Sequence, residues 1–194
     1  MKTVIFKNNA HSYRMTLVMG MLSGCVMVLF YQLTRADYTA LVPVFLFACT
    51  LIALFSERNL TAGLHTAVYV ISALSVAVVK ELFNQMRCGS GLTSFLSEST
   101  IFELLICVLI PQAFLLYGFV MNYGRMPNIL GWILRLLPAA VVLQDEISCI
   151  RLVMTYHYEV YTSICQGVLL IGYVGFIIAA AVLDRKKALR GFST

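Results

Sequence analysis

Charge is scarce in this sequence. Of its 194 residues, 14 are Lys or Arg and 9 are Asp or Glu, so 12% are charged, about half the share of an ordinary soluble domain. A fully water-facing exterior needs more charge than this, which excludes the common soluble classes. The familiar catalytic signatures are also missing. There is no HExxH pair for a zinc protease, no GxSxG elbow for a hydrolase and no P-loop for a nucleotide. Six cysteines occur, but none are spaced CxxC and none cluster with histidine at ligand spacing. The pattern therefore encodes neither a zinc site nor a dithiol centre, and no cofactor is implied. Internal repeats and low-complexity tracts are likewise missing.

What fills the chain is apolar sequence, at 60% of residues. Between charges and turn residues it reads as six runs, at about 15–33, 38–56, 60–79, 101–121, 129–147 and 161–183. A helix needs about 20 apolar residues to cross the hydrocarbon of a bilayer. Six crossings and their connections use nearly the whole chain. The expected fold is all-α: a polytopic integral membrane protein of about six transmembrane helices in one bundle, with no separate soluble domain. Lys2 and Lys7 before the first run also suit a signal peptide. That run is longer than a signal core, however, and no small-x-small cleavage motif precedes the second, so it is expected to remain as a span.

Side preference follows from Lys and Arg, which concentrate in cytoplasmic segments. With the amino terminus inside, the inner segments hold Lys2, Lys7, Arg14, Arg58, Arg125, Arg185, Lys186, Lys187 and Arg190. The outer segments hold Arg35, Lys80, Arg87 and Arg151. Acidic residues run the other way: Asp37, Glu81, Glu98, Glu103, Asp145, Glu146 and Glu159 fall outside, leaving Glu57 and Asp184 inside. Both termini are expected in the cytoplasm, in a plasma or inner membrane. The net charge of +5 then reflects topology and attraction to anionic lipid, and does not imply nucleic acid. The outer connections, counted from these runs, are also the longer ones. They are read either as a lid or binding surface or as plain solvated linkers.

Polar residues inside spans are costly in lipid and tend to face the bundle interior. His65, Tyr69 and Ser72 share one face of the third span, where the histidine either bonds a neighbouring helix or meets a solute. Gln112 follows Pro111 in the fourth span. Proline frees a backbone carbonyl, so Gln112 either lines a polar cavity or satisfies local backbone. Pro43 and Pro138 bend the second and fifth spans without indicating a ligand. Arg135 either snorkels to the inner headgroups or pairs with a buried acid or anionic substrate.

Glu81, Glu103, Gln112, Asp145, Glu146 and Arg151 are the candidate solute-binding residues, because one-sign charge between low-dielectric walls concentrates its field. Glu103 also suits a helix cap. Adjacent Asp145 and Glu146 suit either a metal or perturbed-acid pair or ordinary solvated helix ends. Cys88 and Cys149 are placed to pair on an oxidising outer side or to stay as thiols. Gly20 with Gly24, and Gly175 with Ala179, form small-xxx-small surfaces for close helix approach, within the chain or to a partner. The tract Cys88, Gly89, Ser90, Gly91 offers nucleophiles, and His157 or Lys80 a base, but in no known catalytic spacing.

In size, span number and outward polar loops the chain resembles the substrate-capturing subunits of energy-coupling-factor transporters. The resemblance is one of architecture and rests on no motif. It implies a solute-binding subunit that depends on a separate ATPase module, which agrees with the missing nucleotide site. The expected function is thus a membrane component that binds or transports a small neutral or cationic solute, with the lipid bilayer and further membrane or ATPase subunits as partners. The alternatives are a noncatalytic assembly or signalling subunit and, third, an intramembrane enzyme.

Overall fold

In the computed structural model the regular elements of the described residues are all helical. The structure describes residues 4–34, 42–87, 98–156 and 160–190. Six helices follow in order: α1 Ala10–Thr34, α2 Val42–Phe55, α3 Asn59–Arg87, α4 Glu98–Met121, α5 Ile129–Tyr156 and α6 Val160–Arg190. A single 3-10 turn, Asn122–Arg125, joins α4 to α5. Three helical segments, Ala10–Phe30, Asn59–Asn84 and Val160–Val182, are long and apolar enough to cross a membrane. Large apolar side chains stand on the outside, among them Leu22, Val26, Trp132, Ile164 and Ile171. An exterior of this kind fits lipid better than water, consistent with an integral membrane protein.

Several helices outrun the apolar stretches that announce them. α3 continues through Lys80, Glu81 and Asn84 to Arg87, although the sequence reads as polar loop from about position 80. At 29 residues it is about 43 Å long, more than the roughly 30 Å of hydrocarbon. α5 likewise passes Gln144, Asp145 and Glu146 and runs on to Tyr156. Residues 80–87, read above as connection, belong to α3, and residues 148–156 belong to α5. Charge ends an apolar run, but it does not end a helix, because the ladder remains the best partner for backbone polar groups in headgroups as well as in lipid.

The short helix α2 is the pillar of the bundle. It has 14 residues, none of them charged, and it packs against α3, α4, α5 and α6. Such all-round apolarity is the pattern of a helix enclosed by others. Toward α5 and α6, Phe47 and Leu54 cluster with Ala139, Val142, Tyr173 and Ile177. The Phe47 and Tyr173 rings stack there at 4.3 Å. Toward α3, Cys49 and Ile52 join Phe6, Tyr69 and Val70, and Ala53 meets Ala62 and Met121. α1, α3 and α4 thus form one group, α5 and α6 a second, and α2 holds them together.

Small residues set the spacing in the first group. A side chain at Gly20 would strike Ser72 and the Tyr69 carbonyl, and one at Gly24 would lie 2.6 Å from the Ala73 carbonyl. The first small-residue pair therefore packs α1 onto α3 within the chain. Gly175, in the second pair, has nothing within 4 Å. The expected contrast is testable by thermal unfolding in detergent. Gly24→Leu should lower the midpoint, costing about 1–3 kcal/mol through overpacking, while Gly175→Leu should leave it unchanged. Equal effects would show that α1 is not held to α3 by this contact.

Candidate functional site

Buried polar groups need partners in an apolar surround, so the placement of those partners sorts structure from function. Hydroxyls along the helices solve the problem locally. Thr16, Thr50, Ser56, Thr66 and Ser72 each donate to the carbonyl four residues earlier, at 2.5 to 3.1 Å. Because the Thr50 hydrogen points at Leu46, the Tyr117 hydroxyl 2.6 Å away donates to Thr50. Tyr69 donates to Ser23 at 2.8 Å and Tyr173 to the Arg135 carbonyl at 2.8 Å.

One end of the bundle is closed by the same means. Residues before α1 lie along the α2–α3 connection: the Ile5 and Phe6 amides donate to the Phe55 carbonyl, and the Glu57 amide to the Phe6 carbonyl. Carbonyls at the end of α2, which lack helical donors, are reached from the turn after α4. Asn122 donates to Ala53 at 2.5 Å and to Ser56 at 3.2 Å, and Arg125 donates to Ser56 and Glu57. Arg135 is buried at this same end. Its guanidinium turns back to the Gly124 carbonyl at 2.5 Å and lies 5.1 Å above the Trp132 ring.

His65 belongs to this closed end rather than to a solute site. It is fully buried, with Nδ1 2.8 Å from the Thr16 hydroxyl and Nε2 3.1 Å from the Lys7 carbonyl. Tyr13 stacks on the ring at 4.2 Å. The ring thus lies between α3 and both Thr16 of α1 and the segment that precedes it.

The exception is the α5–α6 interface. α5 buries Arg135, Ala139, Val142, Glu146 and Cys149 along one stripe, and α6 buries Thr162, Gln166, Tyr173 and Ile177 along another. Tyr173 and Ile177 make the half nearest the closed end apolar, whereas the other half is polar. Ser163 donates to Glu146 Oε1 at 2.5 Å, and Gln166 Nε2 donates to Asp145 Oδ2 at 3.0 Å. Among the described residues, three buried atoms are then left without a hydrogen-bond partner: Glu146 Oε2, Gln166 Oε1 and Thr162 Oγ1. Glu146 is only 7% exposed, Thr162 2% and Gln166 1%.

The local sequence explains each gap. α6 begins at Val160, so Thr162 lies in its first turn. Reversing the Gln166 amide would set its oxygen against Asp145 Oδ2, an acceptor facing an acceptor, so Oε1 is the atom left open. Ser163 supplies only one hydrogen, which leaves the second Glu146 oxygen bare. Glu146 stands 17 residues beyond Ile129, about 26 Å along α5, far from the closed end.

The sequence-based candidates are distributed as follows. Asp145 and Glu146 come together with α6, Asp145 exposed and Glu146 buried. Glu81 is exposed on α3 and accepts a 3.5 Å hydrogen bond from Asn84. Gln112 is exposed on α4 and Arg151 is exposed on α5. Glu103 lies in α4, but its side chain falls outside the described residues, as do positions 88–91 and His157. Cys149 is buried in α5, while its suggested partner Cys88 is outside the described residues. Thr162, Ser163 and Gln166 were missed by sequence reasoning. The available signal was the spacing of Thr162 and Gln166, one helical turn apart on the stripe that continues to Tyr173.

No protein family, curated protein or solved structure matches this chain. Among the described residues, no group of three or more His, Cys, Asp or Glu is placed to hold a metal ion. The α5–α6 cluster thus gathers carboxylate, amide and hydroxyl oxygens, three of them without a hydrogen-bond partner among the described residues.

Among the described residues Glu146 is bonded only by the neutral Ser163 hydroxyl, and a buried carboxylate with no countercharge is destabilising until something binds it. Glu146→Gln should therefore raise the unfolding midpoint of the ligand-free protein, by about 2–4 °C if 1 kcal/mol is recovered. The measurement uses a buffer whose only added cation is N-methylglucamine. A fall in the midpoint would mean that the carboxylate is stabilising as it stands.

Proposed function

We propose that this chain is a membrane component that binds a small solute and passes it across the bilayer, acting as the substrate-capturing part of a larger transporter. The observation that carries the reading is the set of open oxygens on Glu146, Gln166 and Thr162. Among the other described buried groups, Thr16, Thr50, Ser56, Thr66, Ser72, His65 and Arg135 each have a hydrogen-bond partner, which favours the α5–α6 interface as the place of a ligand. Stability given up at one site while polar groups elsewhere are satisfied is the usual mark of function.

In this reading the six helices cross the membrane six times as one bundle, with both termini cytoplasmic. Support comes from the amino-terminal segment, the α2–α3 connection and the α4–α5 turn, which meet at one end with Lys7, Arg58 and Arg125. Basic residues favour the cytoplasmic side. The α5–α6 cluster then opens toward the outer half, where a capturing subunit meets its solute. Energy and the inward step would come from partner subunits, an ATPase among them, because no nucleotide motif is present in the sequence.

Two measurements test this reading. In a chain stripped of native cysteines, a thiol at Asn8 should be labelled by a membrane-impermeant reagent only after permeabilisation, and a thiol at Arg151 from outside in intact cells. The reverse pattern would reject the orientation. Solute binding is tested by screening uncharged and charged small molecules for saturable thermal stabilisation of the purified chain. A stabilising solute should lose its effect in Gln166→Leu and keep it in Glu81→Gln. A response that survives Gln166→Leu would place recognition elsewhere.

A further inference from the structure

The atoms left open between α5 and α6 also specify the charge of the ligand. All three are oxygens: a carboxylate oxygen of Glu146, the amide oxygen of Gln166 and the hydroxyl of Thr162. We infer that the cluster takes a small monovalent cation, either an alkali ion or a primary ammonium group, held by these oxygens. The inference rests on reading the α5–α6 cluster as the recognition site.

An anion is disfavoured at once, since Glu146 Oε2 and Gln166 Oε1 only accept. The hydrogen bonds that the two carboxylates do receive come from neutral side chains, Ser163 and Gln166. A neutral ligand would fill the hydrogen-bonding vacancies yet leave a carboxylate charge buried without a countercharge, which is expensive. A cation resolves both deficits. Hard oxygen donors select alkali and alkaline-earth ions over soft metals.

Ligand count then favours one positive charge over two. Calcium sites draw on six to eight oxygens and usually several carboxylates. Here one buried carboxylate oxygen is open, and Asp145 is exposed with Oδ2 committed to Gln166. A primary ammonium group has three N–H donors, equal in number to the open oxygens. Gly167 faces the same carboxylate: a Cβ there would sit 3.9 Å from Glu146 Oε1, the oxygen that Ser163 already holds.

The test measures thermal unfolding of the purified full chain in sodium, potassium, ammonium or methylammonium chloride, each against N-methylglucamine chloride at equal ionic strength. At least one small cation should raise the midpoint saturably, by about 5 °C or more at a hundredfold excess over its apparent Kd. The salt that does so separates the alkali from the ammonium case. Glu146→Gln should abolish the response. Thr162→Val, which keeps the volume and removes one ligand oxygen, should weaken the apparent affinity about tenfold, and it carries the conclusion if Glu146→Gln does not fold. Equal shifts in every salt, N-methylglucamine included, would reduce the effect to screening and overturn the inference. So would a cation response that persists in both variants. A saturable response to a neutral solute alone, lost in Gln166→Leu, would overturn the cation and leave the site standing. No saturable response to any cation or solute would overturn both.

Discussion

In an apolar solvent every buried polar atom must find its partner within the chain, and most features of this structure follow from that requirement. It explains the hydroxyls of Thr16, Thr50, Ser56, Thr66 and Ser72, each turned to a carbonyl one turn back. It explains why Asn122 and Arg125 reach the end of α2, whose carbonyls have no helical donor. It explains the course of Arg135, which lies within an apolar helix yet carries its charge to the turn at the closed end. Against this background an unpartnered buried oxygen among the described residues is informative, and three of them at one interface are the basis of the ligand proposed above.

The same requirement shapes the division of the bundle. α2 is short and without charge, so it can be enclosed by four helices and contribute only apolar contact. Its Phe47 and Leu54 anchor α5 and α6, while Cys49, Ile52 and Ala53 anchor α3 and α4. Glycines bring α1 against α3 closely enough for backbone contact, a fit that tolerates little rearrangement. The α5–α6 pair is joined to the rest chiefly through α2, at the half of the interface that is apolar. Its polar half lies beyond that anchor, where a change in helix spacing would disturb least.

Class was legible in the sequence because hydropathy reports the solvent directly: few charges and long apolar runs leave little choice. Helix ends were not. Lys80 and Asn84 in α3, and Gln144 to Glu146 in α5, stop the hydropathy signal while the backbone continues to wind. The candidate site was half legible. Asp145 and Glu146 stood out as acids at the edge of an apolar run, and Arg135 as a charge inside one. Thr162, Ser163 and Gln166 did not, because such residues barely interrupt the run that contains them. Which helix faces which is a matter of packing and has no signature in spacing. The acids could therefore not be joined to α6, nor separated from Glu81 and Gln112, before the helices were assembled.

The central claim is that a ligand completes the bonding of Glu146, Gln166 and Thr162. Crystals grown from a lipidic phase in a rubidium salt, measured at the rubidium absorption edge, test it directly. The account predicts an anomalous peak within about 3 Å of Glu146 Oε2 and Gln166 Oε1, since large alkali ions sit slightly farther from oxygen than the 2.3–2.6 Å of calcium. An ammonium ligand would instead leave compact density at the same place without the anomalous signal. The account is contradicted if the position holds neither, and the three oxygens are hydrogen-bonded to other side chains of the protein.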